Sequence, residues 1–341
     1  MKEKFMKEKD TKKPELYYWT KKAVNVDHLP EVKGYDFEKE FDFTEFLESF
    51  KHFGLQATEL SNAIGIVKAM RRENAHIFLT FTSNMVSSGM RDLIKYLVKN
   101  KKIHAIVTSA GAIEEDIMKS MMPFRLGDFH VKGEPLLDAG IGRIGNIFAT
   151  NDHYAYFDKF LQRFFKKMHS FQKEKQTFFT ASEFIRELGL SLENEENMDY
   201  KSSYLYWAAK NDIPVFCPGL VDGAIGDILY FYKTQNPDFV VDIMGDTKEI
   251  VNICLNAEKT GALVLGGGIA KHYTLNANIF REGLDFAVYI STANFFDGSD
   301  SGGNQEEAIT WAKIKPNAPR AKVCCEASIV FPLIVAGAFR D

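Results

Sequence analysis

Cysteine is scarce in this sequence, with four residues among 341, at positions 217, 254, 324 and 325. None is spaced as CxxC, and no histidine stands beside them in a metal-ligand pattern. That excludes a disulfide scaffold or a zinc site as the organising feature, and no metal is expected. Free thiols of this kind suit a reducing compartment, so a cytoplasmic protein is expected. No apolar run is long enough for a membrane helix. Met1–Lys13 is rich in Lys and Glu without an apolar core, which predicts no secretory signal. Charge of one sign is also missing. Lys and Arg number 42 against 46 Asp and Glu, and a net charge of −4 argues against nucleic acid as a partner. No internal repeat or low-complexity linker occurs.

What is present is a large apolar content, 45% of the chain, enough to bury a substantial core. From about Phe43 onward, short apolar runs alternate with stretches of helical spacing. Strands are expected at Ile77–Thr82, Ile103–Val107, Ile213–Phe216, Phe239–Ile243, Ala262–Leu265, Phe286–Ile290 and Lys322–Cys325. Helices are expected at 57–72, 88–100, 113–122, 246–259, 270–281 and 328–338. The alternation predicts an α/β, Rossmann-like parallel sheet with helices on both faces. Residues 1–32 read as a mobile or helical N-terminal arm and 33–341 as one catalytic domain. Within that domain, 151–210 is an aromatic-rich helical insertion packed on the sheet.

Nearly every expected strand ends in small or polar residues: Thr82-Ser-Asn, Thr108-Ser-Ala-Gly, Gly266-Gly-Gly, Ser291-Thr-Ala and Glu326-Ala-Ser. In open α/β sheets ligands bind at these carboxyl ends, where small residues and helix N-termini admit a phosphate. The glycines lack the full G-x-G-x-x-G spacing, and turn chemistry alone would also favour such residues. A second concentration of polar groups runs from Asp297 to Lys313. It holds four acids, Trp311 and Lys313 within seventeen residues. Carboxylates attract a cation, an indole face can hold an ammonium or alkyl chain, and a lysine can form a Schiff base. Covalent chemistry on a polyamine is one reading, and a solvated loop leading into an amphipathic helix is the plain one. On a helix Glu307 and Trp311 would share a face, as would His272 and Asn276.

Taken in order, these segments resemble the deoxyhypusine synthase family from about Lys33 to Phe339. The resemblance rests on Lys33-Gly-Tyr-Asp-Phe, Thr82-Ser-Asn-Met-Val-Ser-Ser-Gly, Ala110-Gly-Ala-Ile-Glu-Glu-Asp and Arg143-Ile-Gly-Asn. It continues through Pro214-Val-Phe-Cys-Pro, Asp222-Gly-Ala-Ile-Gly-Asp, Gly266-Gly-Gly-Ile-Ala-Lys-His, Asp297-Gly-Ser-Asp-Ser-Gly, Trp311-Ala-Lys and Ser328-Ile-Val-Phe-Pro-Leu. It implies that Lys313 carries the imine and that His272 moves protons. Spermidine contacts would fall to Glu114, Glu115, Asp227, His272, Asn276, Gly298, Ser299, Asp300, Glu307 and Trp311. NAD contacts would fall to Ser83, Asn84, Ser87, Ser109, Ala110, Gly111, Glu115, Asp222, Gly267, Thr292, Ala293, Asp297, Glu326 and Ala327.

The resemblance further implies an NAD-dependent transfer of the aminobutyl group of spermidine to a lysine of the initiation factor 5A precursor, releasing 1,3-diaminopropane. It also implies a homotetramer with sites between paired subunits. Homospermidine synthase, delivering the same fragment to putrescine, is the alternative within the same motifs. An NAD-dependent deacylase would give the lysine no role and often carries paired zinc cysteines, which this chain lacks. A catalytically silent relative would lack the lysine. The chain departs from the usual family pattern at Ser109 (threonine), Ala112 and Ala312 (glycine), and Glu326 (aspartate).

Overall fold

The computed structural model describes residues 21–340. The expected arm lies outside the described residues as far as residue 20. Residues 21–32 are exposed and belong to no helix or strand. Six strands form the central sheet: β1 (His76–Phe81), β2 (Ala105–Val107), β3 (Val215–Phe216), β4 (Thr260–Leu265), β5 (Phe286–Ile290) and β6 (Arg320–Val323). Their spatial order is 3-2-1-4-5-6, and every neighbouring pair runs parallel. This is the Rossmann order, whose direction reverses between β1 and β4.

The helices that bear on the site are α1 (Leu55–Arg72), α2 (Met90–Lys99), α3 (Ala110–Met121), α4 (Asn151–Lys175), α5 (Ala181–Ser191), α6 (Tyr204–Lys210), α7 (Ala224–Gln235), α8 (Ile243–Asn256), α9 (Gly268–Ile279), α10 (Gln305–Thr310) and α11 (Ala327–Ala338). Burial on both faces of the sheet explains its unbroken apolar strands. Ile77, Leu79 and Phe81 of β1 pack with residues of α1, α3 and α4, whereas Phe78 packs on the opposite face with Ala270 and Ala277 of α9. Phe157, Phe160, Phe164 and Phe165 of α4 join the first of these clusters, so the 151–210 helices share the core of the sheet.

One expected strand is corrected. Phe239–Ile243 does not enter the central sheet; only Val241–Asp242 is extended there, paired with Phe179–Thr180. Phe239 is instead buried among Phe165, Phe184 and Tyr232. A short apolar run has the same composition whether it fills a helix-packed core or a strand.

Candidate active site

The pocket that gathers the chemistry-bearing residues has a volume of about 550 Å³ and is walled by α9, the Gly298–Asn304 loop and α10. Its lining includes His272 and Asn276 from one face of α9, with Gly298, Asp300, Glu307, Trp311 and Lys313 opposite. Each wall begins at the carboxyl end of β4 or β5, where the ligand of an open α/β sheet is expected.

Lys313 is placed by the way α10 ends. The helix stops at Thr310, with Trp311 as its C-cap, so Trp311 is not helical as the i, i+4 reading assumed. Ala312 then turns left-handed, at φ 55. The Ala312 N–H donates to the Ile309 carbonyl (2.9 Å) and the Lys313 N–H to that of Ala308 (3.0 Å). This is a Schellman motif, and glycine at the Ala312 position is its usual occupant. Lys313 is then fixed to the end of α9. The Leu284 N–H donates to the Lys313 carbonyl (3.0 Å), and Lys315 N–H to that of Leu284 (3.1 Å). Gly283, at φ 105, lets the chains approach so closely that a Cβ there would lie 2.8 Å from the Ile314 backbone. Asp285 locks this junction by accepting from Lys315 Nζ (2.6 Å) and Arg281 Nη1 (2.5 Å).

The Lys313 side chain is only 8% exposed, and its Nζ has no hydrogen-bond or ion-pair partner among the described residues. Lys271, which sequence reasoning passed over, is 3% exposed in the same pocket. Its Nζ donates to the carbonyls of Asp300 (2.5 Å) and Gly303 (3.0 Å) and lies 4.7 Å from the centroid of the Tyr289 ring. Burial lowers the Lys271 ammonium below the usual lysine range, opposed by Asp300 and reinforced by Lys322 and Lys313. Asp300 Oδ1 lies 3.1 Å from His272 Nδ1, while its buried Oδ2 makes no hydrogen bond. Trp311 is 65% exposed at the rim.

The expected substrate acids do not all meet here. Glu114, Glu115 and Asp227 belong to a second acidic group, in the second turn of α3 and the first turn of α7, beyond β2 and β3, and Ser299 also falls outside the pocket lining. The sheet order sets strands β2 and β1 between β3 and β4, which separates the two groups. Glu114 Oε1 accepts from the Ile225 N–H (2.8 Å) and so caps α7. Glu115 Oε2 accepts from the Ser87 hydroxyl. Burial pushes the Glu115 carboxyl up to about 7, against the pull of the Ser87 hydrogen bond and with a further push from Glu114. Tyr154 of α4, absent from the sequence reading, feels both acids: burial, then Glu115 and Glu114, raise its hydroxyl.

The residues expected at a cofactor occupy the strand ends. Ser83, Asn84 and Ser87 follow β1, and the Ser83 N–H donates to Ser109 Oγ (3.1 Å) beyond β2. Ala110 and Gly111 open α3, and a Cβ on Gly111 would lie 2.8 Å from that of Ser83. Asp222 precedes α7, Gly267 begins α9, Thr292 and Ala293 follow β5, and Glu326 and Ala327 begin α11. Asp297 is turned onto its own loop, accepting from the Ser299 N–H (2.8 Å). Helix capping varies along the chain, and α1 and α2 have no side-chain cap. Peripheral α5, α6 and α8 carry side-chain caps from Thr180, Ser203 and Asp242. By contrast α3, α9 and α11, which start at strand ends, have none. The Ala112 N–H of α3 and the Ile329 N–H of α11 turn back to the Ser109 and Glu326 carbonyls, and the N–H groups before them are left for another acceptor.

A Rossmann-order sheet with a buried lysine facing a polar pocket beyond its strand ends defines an α/β enzyme. The chain belongs to the deoxyhypusine synthase family, whose model matches residues 45–338. It is 43% identical over 334 residues to deoxyhypusine synthase of Senecio vernalis, covering 90% of this chain and 88% of that one. With deoxyhypusine synthase of Nicotiana tabacum it shares 41% over 355 residues, covering 94% and 92%. A crystal structure assigned to deoxyhypusine synthase, from Entamoeba histolytica, superposes with a TM-score of 0.64 at 31% identity, over 90% of this chain and 96% of that one.

Proposed function

We propose that this chain transfers the aminobutyl group of spermidine to a lysine of the initiation factor 5A precursor, by way of an imine on Lys313. The observation that carries this reading is the environment of Lys313, an amine withdrawn from water, uncommitted, and open to a pocket that also holds carboxylates and an indole. The Oδ2 of Asp300, which makes no hydrogen bond and lies 4.0 Å from Lys271 Nζ, and the carboxylate of Glu307 suit the ammonium groups of a polyamine. Trp311 offers a face to the alkyl chain. With Nδ1–H donated to Asp300, His272 keeps Nε2 free to take and return a proton. Withdrawal from water keeps the imine from hydrolysis between its formation and its transfer.

The strand ends suit NAD. Uncapped α3, α9 and α11 can receive phosphates, and open space beside Gly268 lets a ligand approach the backbone, whereas Gly267 is closed off by Ser301. Ser83, Asn84, Ser87, Ser109, Asp222, Thr292 and Glu326 would hold it. When bound it would supply the hydride acceptor for amine oxidation and the donor for the final reduction. The acids of α3 and α7 lie apart from the Lys313 pocket, which supports a site completed by a second subunit within a homotetramer. Exposed Val221, Tyr230, Phe231 and Met244 around α7 and α8 give apolar surface for such assembly. A cytoplasmic enzyme fits this reading, and no described helix is long and apolar enough to cross a membrane.

Putrescine as acceptor is not favoured, since the relatives carry the deoxyhypusine name. The test is incubation with NAD, spermidine and purified factor, followed by mass measurement. The factor should gain one aminobutyl group and Lys313→Ala should abolish the gain; transfer at an undiminished rate by that variant rules the mechanism out.

A further inference from the structure

Lys119 has no part in the reaction proposed above, yet all three of its donors are engaged. It lies one turn beyond Glu115 on α3, and its Nζ donates to the carbonyls of Val86 (2.7 Å), Ser87 (2.9 Å) and Ser88 (2.8 Å). These carbonyls close the four-residue helix Asn84–Ser87, the end at which a helix leaves acceptors unsatisfied and favours a cation. A helix so short has little stability of its own. Glu115 holds the same segment from the same face of α3, by accepting from the Ser87 hydroxyl. The segment is therefore gripped twice, at its carbonyls by Lys119 and at a side chain by Glu115.

We infer that Lys119 is a positioning residue, which fixes the Ser83–Ser88 segment against α3 so that Ser83, Asn84 and Ser87 hold the cofactor geometry. The inference rests on the reading of those residues as NAD contacts. It differs from a general packing role because the Lys119 ammonium bonds to this one segment and, among the described residues, otherwise only lies near the Phe124 ring, 5.9 Å away. The charged groups around it are Arg91 and Asp92 on α2, and Glu115 and Asp116 on α3. Burial, with Arg91, pushes the Lys119 ammonium down to about 8, while Asp116, Asp92 and Glu115 oppose that fall. A neutral amine has one donor fewer than the three carbonyls require, so the clamp loosens as pH rises past that value.

The experiment compares the full-length chain with Lys119→Met and Lys119→Arg. It follows NAD affinity by titration, spermidine KM at saturating NAD, and hydrogen exchange of the 84–89 amides without NAD. Lys119→Met should speed exchange and weaken NAD binding by about tenfold or more, as loss of charge-assisted hydrogen bonds implies. Spermidine KM should stay unchanged, and Lys119→Arg should recover part of the NAD affinity. Unchanged exchange and affinity in Lys119→Met overturn the inference. So does a uniform fall in every constant together with melting temperature, without rescue by arginine. Should the methionine variant not fold, the wild-type pH profile decides: NAD affinity that is flat from below to above the Lys119 transition overturns the clamp. Wild-type protein that binds no NAD at all overturns the cofactor reading, and the exchange result then judges the clamp by itself.

Discussion

Lys313 faces its pocket because α10 stops at Thr310, three residues short of it. The left-handed turn at Ala312 redirects the chain, and the following backbone is pinned to Leu284. An L-residue in that conformation is strained by about 1–2 kcal/mol, of which glycine would recover part at the expense of chain entropy. Ala312→Gly should therefore stabilise the fold by about 0.5–1 kcal/mol, measured as a shift in denaturant midpoint at unchanged slope. The sequence carried the residues of this turn but not its shape. Glu307, Trp311 and Lys313 were singled out from chemistry and spacing, whereas helical continuation through Trp311 was assumed. A Schellman stop without glycine has no local signature to read. Lys271 escaped notice for a different reason, since burial of a lysine depends on carbonyls that only the fold brings to it.

At the level of elements, most strands were legible because a parallel strand buried on both faces is apolar throughout, as at Phe286–Ile290. Phe239–Ile243 shows the limit, being equally apolar and buried under helices. The junction between α3 and α7 could not be foreseen either. Glu114 was expected at a substrate, and it caps α7 through Ile225. Gly223 makes that possible by proximity, not by its backbone angle, since a Cβ there would stand 2.4 Å from Glu114 Oε1. Gly223→Ala should displace this carboxylate and destabilise the protein by about 1–3 kcal/mol, as overpacking does. Thermal unfolding of the variant checks this, and loss of activity should exceed what the stability change explains, because Glu115 and Asp227 flank the same junction.

For the molecule as a whole, the sheet order decides where acids and lysine stand. The Lys313 pocket opens beyond β4 and β5 and the Glu114–Asp227 group beyond β2 and β3. If paired subunits complete one another's sites, a Lys313→Ala chain and a Glu115→Gln chain, each inactive alone, should regain activity when co-expressed. In such a mixed pair one site collects both defects and the other none, so roughly half the wild-type turnover per mixed dimer is expected from two-fold symmetry. Absence of any recovery in isolated mixed dimers would mean that each chain works with its own acids. The pocket itself adds a consequence of its two lysines. Lys271 has its nitrogen tied to the Asp300 and Gly303 carbonyls above an aromatic ring, whereas Lys313 has its nitrogen free. An electrophile entering therefore meets two amines of the same kind but a single competent nucleophile. Chemoselectivity in this cavity is thus set by which lysine the surrounding backbone has already engaged.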